Sequence, residues 1–94
     1  MSKLAKGVVI TAEGAVTLKY FNDEKPTLEE MQKIVGGHIE FIRFNATETM
    51  IVNEEGLLND LPLNKSAINY LYEYSVDDYQ IVGDVLVIDS SLID

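Results

Sequence analysis

Apolar positions change period along the chain, and the changes mark the elements. KGVVIT and AVTLKYF, at the start, are β-branched and aromatic runs joined by Ala12-Glu13-Gly14, a turn with glycine available for positive φ. They predict a β-hairpin over residues 1–22. NDEKP then interrupts the strand pattern. Thr27-Leu28-Glu29-Glu30 has the form of a capping box, and Leu28, Met31, Ile34 and Val35 fall on one helical face. Gly36-Gly37 ends this helix, with at least one glycine at positive φ. HIEFIRFN carries apolar groups on both faces and is expected to be a central strand. TMIVN is a shorter strand, NEEG a turn and LNDLP irregular. Asn64 is a good N-cap for a second helix over 65–74, with Ala67, Ile68, Leu71 and Tyr74 inward. After a polar break, YQIVG and DVLVID read as a short hairpin or as one bulged strand, and SSLID as a frayed tail. The order ββαββαβ makes the chain an α+β domain, with a largely antiparallel sheet and two helices.

Composition narrows the chemistry. The chain has 94 residues, enough for a single domain over 1–94 with a thin stability margin. It has no cysteine and one histidine, which removes disulfides, thiol catalysis and any multi-histidine metal site within one chain. No apolar run reaches the length of a membrane span, and MSKLAKG lacks the apolar core of a signal peptide. The expected location is therefore cytoplasmic. No phosphate loop, dinucleotide fingerprint or nucleophile elbow is present, so no cofactor and no enzymatic activity are expected.

Charge is unevenly placed. Residues 1–47 hold six basic and six acidic side chains, whereas residues 48–94 hold one basic residue, Lys65, against ten acidic ones. The net charge of −9 thus belongs to the second half. Direct binding to nucleic acid is not expected, because phosphate contacts require lysine and arginine. A basic protein partner is, with Glu54, Glu55, Asp60, Glu73, Asp77 and Asp78 as its contacts and Tyr70 and Tyr74 as anchors between them. The surplus aromatic residues near the second helix and the small core point to a homo-oligomer, a dimer. A second possibility is a small-ligand site for a nucleotide between protomers, with His38, Glu40, Asn53 and Asn64 as polar groups. His38 and Glu40, two apart on a strand, would share a face and could form a general-base pair, though no nucleophile lies near them in sequence. Asn53-Glu54-Glu55-Gly56 is too short for a calcium loop.

Three segments, QKIVGGHIEFI, MIVNEEGLLNDLPLN and IVGDVLVI, together resemble the phage-associated family of domain of unknown function 3846. The resemblance covers residues 27–90, with the N-terminal hairpin matching loosely. Its matching positions are Gly36, Gly37, Glu40, Asn53, Glu54, Gly56, Asn64, Gly83 and Asp84. The family carries no activity to transfer. It implies a phage context, and so a small accessory protein of host takeover that binds a host or phage protein and inhibits a nucleic-acid-handling or defence factor. Aromatic residues are usual in the family where this chain has His38, which weakens a catalytic role for that histidine.

Overall fold

A computed structural model describes residues 4–73 and 80–93. The elements are β1 (Lys6–Ile10), β2 (Val16–Tyr20), α1 (Leu28–Val35), β3 (Ile39–Arg43), β4 (Glu48–Asn53), α2 (Lys65–Tyr72) and β5 (Val85–Asp89), followed by a 3-10 turn at Ser90–Leu92. All strand pairs are antiparallel, in the order β2-β1-β5-β4-β3. Two hairpins, β1–β2 and β3–β4, are thus joined by the last strand inserting between them.

β5 is the centre of the sheet because its sequence is apolar without alternation. Val85, Leu86, Val87 and Ile88 are all buried. Val85 and Val87 join a cluster with Ala67 and Leu71 of α2, while Leu86 and Ile88 join a second cluster with Met31 and Val35 of α1. Successive strand residues point to opposite faces, so the helices cover opposite faces of the sheet. β4 is split in the same way, with Met50 and Val52 toward α2 and Ile51 toward α1. Burying one such side chain contributes about 1.5–3 kcal/mol, and these two strands concentrate that term.

The run HIEFIRFN, expected to be central, is instead the edge strand β3. Ile42 and Phe44 are buried toward α2, but Phe41 on the other face is 48% exposed and Arg43 beside it is exposed. α1 packs over β4 and β5 and only the near part of β3, so the outer residues of that face stay open. The described residues of the closing segment form one strand, with Val82 reduced to an isolated bridge to Leu63; Tyr79 lies outside the described residues. The tail is not frayed over Ser90–Leu92: the Ser90 hydroxyl is buried 2.7 Å from that of Thr49, and the Ser91 amide donates to Asp89 Oδ1. α2 ends at Tyr72; Tyr74, expected as its last residue, lies outside the described residues.

The helix ends follow local chemistry. The Glu30 amide donates to Thr27 Oγ1 and the Thr27 amide to Glu30 Oε1, completing the capping box. At the other end Gly36 has φ +82°, and the amides of Gly36 and Gly37 both donate to the Gln32 carbonyl. A Cβ at Gly36 would meet nothing within 4 Å, so Gly36→Ala tests backbone strain without a packing clash. It should cost about 1–2 kcal/mol, read as a lower urea midpoint at unchanged slope. An unchanged midpoint would show that the left-handed cap contributes nothing to stability.

Candidate functional site

The chain between β4 and α2 leaves the sheet at Asn53 and is held in compact turns by hydrogen bonds. The Glu54 amide donates to the His38 carbonyl, the Glu55 amide to Asn53 Oδ1, the Asn59 amide to the Glu55 carbonyl and the Leu61 amide to the Gly56 carbonyl. This fixed loop presents Glu54, Glu55 and Asp60 to solvent. Asp60 sits at φ +52°, a left-handed conformation that aspartate tolerates better than most residues. Between the acids lie two leucines that escape the core, Leu57 at 59% and Leu58 at 83% exposure. Leu63 closes the same loop, also exposed. Exposed leucines flanked by carboxylates on a fixed turn form an amphipathic surface, and surfaces of that kind supply apolar area for affinity and charge for steering. The charge pattern of the sequence points to the three acids but not to the leucines. The signal for them is that NEEGLLND has no helical or strand period that could bury Leu57 and Leu58.

The other expected contacts lie elsewhere. Asn64, at the start of α2, is bonded to the end of β1, whereas Tyr70, near its end, reaches Glu48 at the start of β4. The two ends of α2 thus lie at opposite ends of the sheet. Glu73 follows α2 and is exposed at the end away from the leucine loop. Tyr70 is partly buried: its hydroxyl donates to Glu48 Oε2 at 3.0 Å, and its ring meets Phe44 edge-on with centroids 5.6 Å apart. That side chain is engaged in the fold, and Tyr72 is the exposed tyrosine of α2. Tyr74, Asp77 and Asp78 lie outside the described residues.

The residues considered for a small ligand are dispersed. Asn64 is fully buried: its Nδ2 donates to the carbonyls of Ile10 and Gly83, and its Oδ1 accepts the Ala67 amide. Asn53 is buried too, donating to the Val35 carbonyl and accepting from Glu55. Asn64 thus spends both donors and its oxygen on the chain itself, and Asn53 one donor and its oxygen. Glu40 lies opposite Val52, on the α2 side of the sheet. His38 precedes β3 and lines a shallow open depression beside α1 with Glu29, Gln32 and Lys33.

A more enclosed cavity of about 420 Å³ lies where β1 begins and β5 ends, lined by Leu4, Val8, Leu18, Val87 and Leu92 with Glu24, Glu48 and Asp89 among its polar groups. The Ser91 amide holds the Asp89 carboxyl below the usual aspartate range, and the Thr27 amide does the same for Glu30. A depressed carboxyl pKa stabilises the fold above its unfolded value, and that support is lost as pH falls through the folded one. Among the described residues, no group of three or more acidic or histidine side chains could hold a metal ion, and no helix is long and apolar enough to cross a membrane.

No curated protein and no solved structure matches the chain. A family model does, over residues 5–91, and it takes in the hairpin that the sequence resemblance covered only loosely. The chain belongs to the family described as "Domain of unknown function (DUF3846)".

Proposed function

We propose that the protein is a non-enzymatic binding protein whose working surface is the acidic leucine loop, Glu54 to Leu63, and whose partner is a protein with a basic, partly apolar face. The observation that carries this reading is the placement of Leu57 and Leu58, both well exposed, among Glu54, Glu55 and Asp60 on one hydrogen-bonded turn. The charge of the second half supports it. Ten acids against Lys65 cannot be neutralised within residues 48–94, so that half offers a field that attracts cationic surfaces. The phage context implied by the sequence resemblance makes a host or phage protein the natural partner. Inhibition of a nucleic-acid-handling or defence factor is the role that suits an acidic body. The nucleotide-binding alternative has less support: Asn53 and Asn64 are engaged inside the fold, and the cavity lining sets three carboxylates against one lysine, Lys6.

The test is capture of a partner from host lysate, followed by kinetics with two variants. Glu54→Gln combined with Glu55→Gln and Asp60→Asn removes charge and keeps shape. It should slow association about tenfold at low salt and much less at high salt, since exposed charges are screened over about 8 Å at physiological ionic strength. Leu57→Ser with Leu58→Ser should chiefly speed dissociation. A partner whose rates ignore both variants binds elsewhere, and this surface would then be a solubility feature.

A further inference from the structure

β2 differs from every other strand in that all five of its residues are exposed. It is an outer strand of the sheet, and its apolar residues are ordered. Val16, Leu18 and Tyr20 alternate with Thr17 and Lys19, so the three large side chains share one face, at 65%, 52% and 59% exposure. Leu18 lies opposite Val8, which packs on the α2-side cluster, so this is the face that α2 covers farther along the sheet. Among the described residues nothing covers it over β2.

The main chain has the same order. The Phe21 amide donates to the Ala5 carbonyl, and the Thr11 amide donates to the Ala15 carbonyl. Residues 15 and 21 therefore turn their polar groups toward β1. In an antiparallel ladder this orientation alternates, so Thr17 and Lys19 also face β1, while Val16, Leu18 and Tyr20 direct N–H and C=O outward. The residues that expose apolar side chains are thus the same three that expose unpaired main-chain groups. Such an edge is a template for strand addition.

We propose that β2 is the self-association edge of this protein, pairing antiparallel with β2 of a second copy about a two-fold axis at Leu18. In this register Leu18 faces Leu18 of the other copy, and Val16 faces Tyr20 in both directions. All three are pairs that exchange two main-chain hydrogen bonds, giving six in total. Thr17 faces Lys19 on the opposite face, so no like charges are directly opposed. Lys19 is already held over the Phe21 ring, 5.8 Å from its centroid. Shifting the register by two residues would lose bonds, because Gly14 lies in the hairpin turn at φ +102°.

Charge selects a second copy over the basic partner of the acidic loop. The strand holds one charged residue, Lys19, and no acid with which to recruit a cationic protein. The described acidic residues of the second half lie on β4, on β5, in the loops beside them and after α2, and β1 separates β2 from β5. Pairing through β2 joins two bodies of charge −9 at a strand of the first half, whose own charges sum to zero. Long-range repulsion still opposes the encounter, so dimerisation should strengthen as salt rises, opposite to binding a basic partner. A five-residue edge is a small interface, and its dissociation constant should fall at about 10–100 μM.

The test is sedimentation equilibrium of the whole chain up to about 500 μM, well above that constant, at low and high salt. Wild type should dimerise, several-fold more tightly at high salt. Leu18→Lys places two cations opposite each other at an exposed position and should weaken the dimer at least about tenfold. Phe41→Lys, on the other sheet edge, should change it less than about twofold. In hydrogen exchange the amides of Val16, Leu18 and Tyr20 should gain protection with concentration, whereas those of Thr17 and Lys19 are protected throughout. A monomer at every concentration and salt would overturn the proposal. So would a dimer that survives Leu18→Lys but not Phe41→Lys, or one that leaves those three amides unprotected.

Discussion

Asn64→Ala should be among the most damaging single changes in this protein, with a loss of about 3–5 kcal/mol. The estimate follows from three bonds made by one fully buried side chain. Its oxygen accepts the Ala67 amide at 2.9 Å, which caps α2. Its nitrogen donates to the carbonyls of Ile10, at 2.9 Å, and Gly83, at 2.8 Å, where β1 ends and the chain approaches β5. Losing a cap costs about 1 kcal/mol. The Gly83 carbonyl left without this donor adds about 1–3 kcal/mol, and the Ile10 carbonyl, which the ladder turns toward Val85, loses a second donor worth about 0.5–1.5 kcal/mol, both partly relieved if water enters. A small domain holds about 5–15 kcal/mol in all, so the variant should be near unfolding at 37 °C. Asn64→Asp separates the two roles. It keeps the cap acceptor but sets a carboxylate oxygen against two carbonyl oxygens. Burial and that repulsion raise the folded pKa of the new acid. The variant's deficit relative to wild type should therefore grow as pH rises through the unfolded aspartate value of about 3.9. Urea titrations of wild type and both variants at pH 4 and 7 provide the measurement. If Asn64→Ala loses no more than an exposed cap would, the two carbonyl bonds contribute nothing net.

Gly7→Val is the second. Gly7 pairs with Ile88 in β5 and Lys19 in β2, so it lies between a central and an outer strand. A Cβ there would come within 2.7 Å of Ile88 Cγ2, 2.9 Å of Leu86 Cδ1 and 2.9 Å of the Val87 carbonyl oxygen. The two side chains could rotate away, at the expense of the core they fill. The carbonyl belongs to the central strand and moves only if β5 moves. Overpacking of this kind costs about 1–3 kcal/mol, and the two methyls of valine bring it to the upper end or beyond. Gly7→Ala should show a smaller loss, offset in part by a stiffer unfolded chain worth about 0.4–1 kcal/mol. Thermal unfolding should order the three proteins as glycine, alanine, valine. Were valine as stable as glycine, the close approach of β1 to β5 would not be what requires glycine at position 7.

What could be read from the sequence was local. The Thr27–Glu30 box, the Gly36 turn and the Asn64 cap each depend on groups within a few residues, and each forms as the residue pattern predicts. The acids of the leucine loop were legible for the same reason, because NEEG is a turn wherever it lies. Residue counts alone exclude thiol and multi-histidine chemistry. Placement across the sheet was not legible. HIEFIRFN and DVLVID both show apolar residues on two faces, and nothing within either run says which one is covered twice. That is decided by β5 entering between the two hairpins, where it pairs with β4 about forty positions back and with β1 more than seventy positions back, as in the pairing of Gly7 with Ile88. The asparagines show the same division within single side chains. The capping oxygen of Asn64 follows from its neighbours. The reach of its nitrogen to Ile10, 54 positions back, exists only once the sheet has assembled. Exposure of Leu57 and Leu58, and of the Val16, Leu18 and Tyr20 row, is a property of what the helices leave uncovered, and only the tertiary structure settles that.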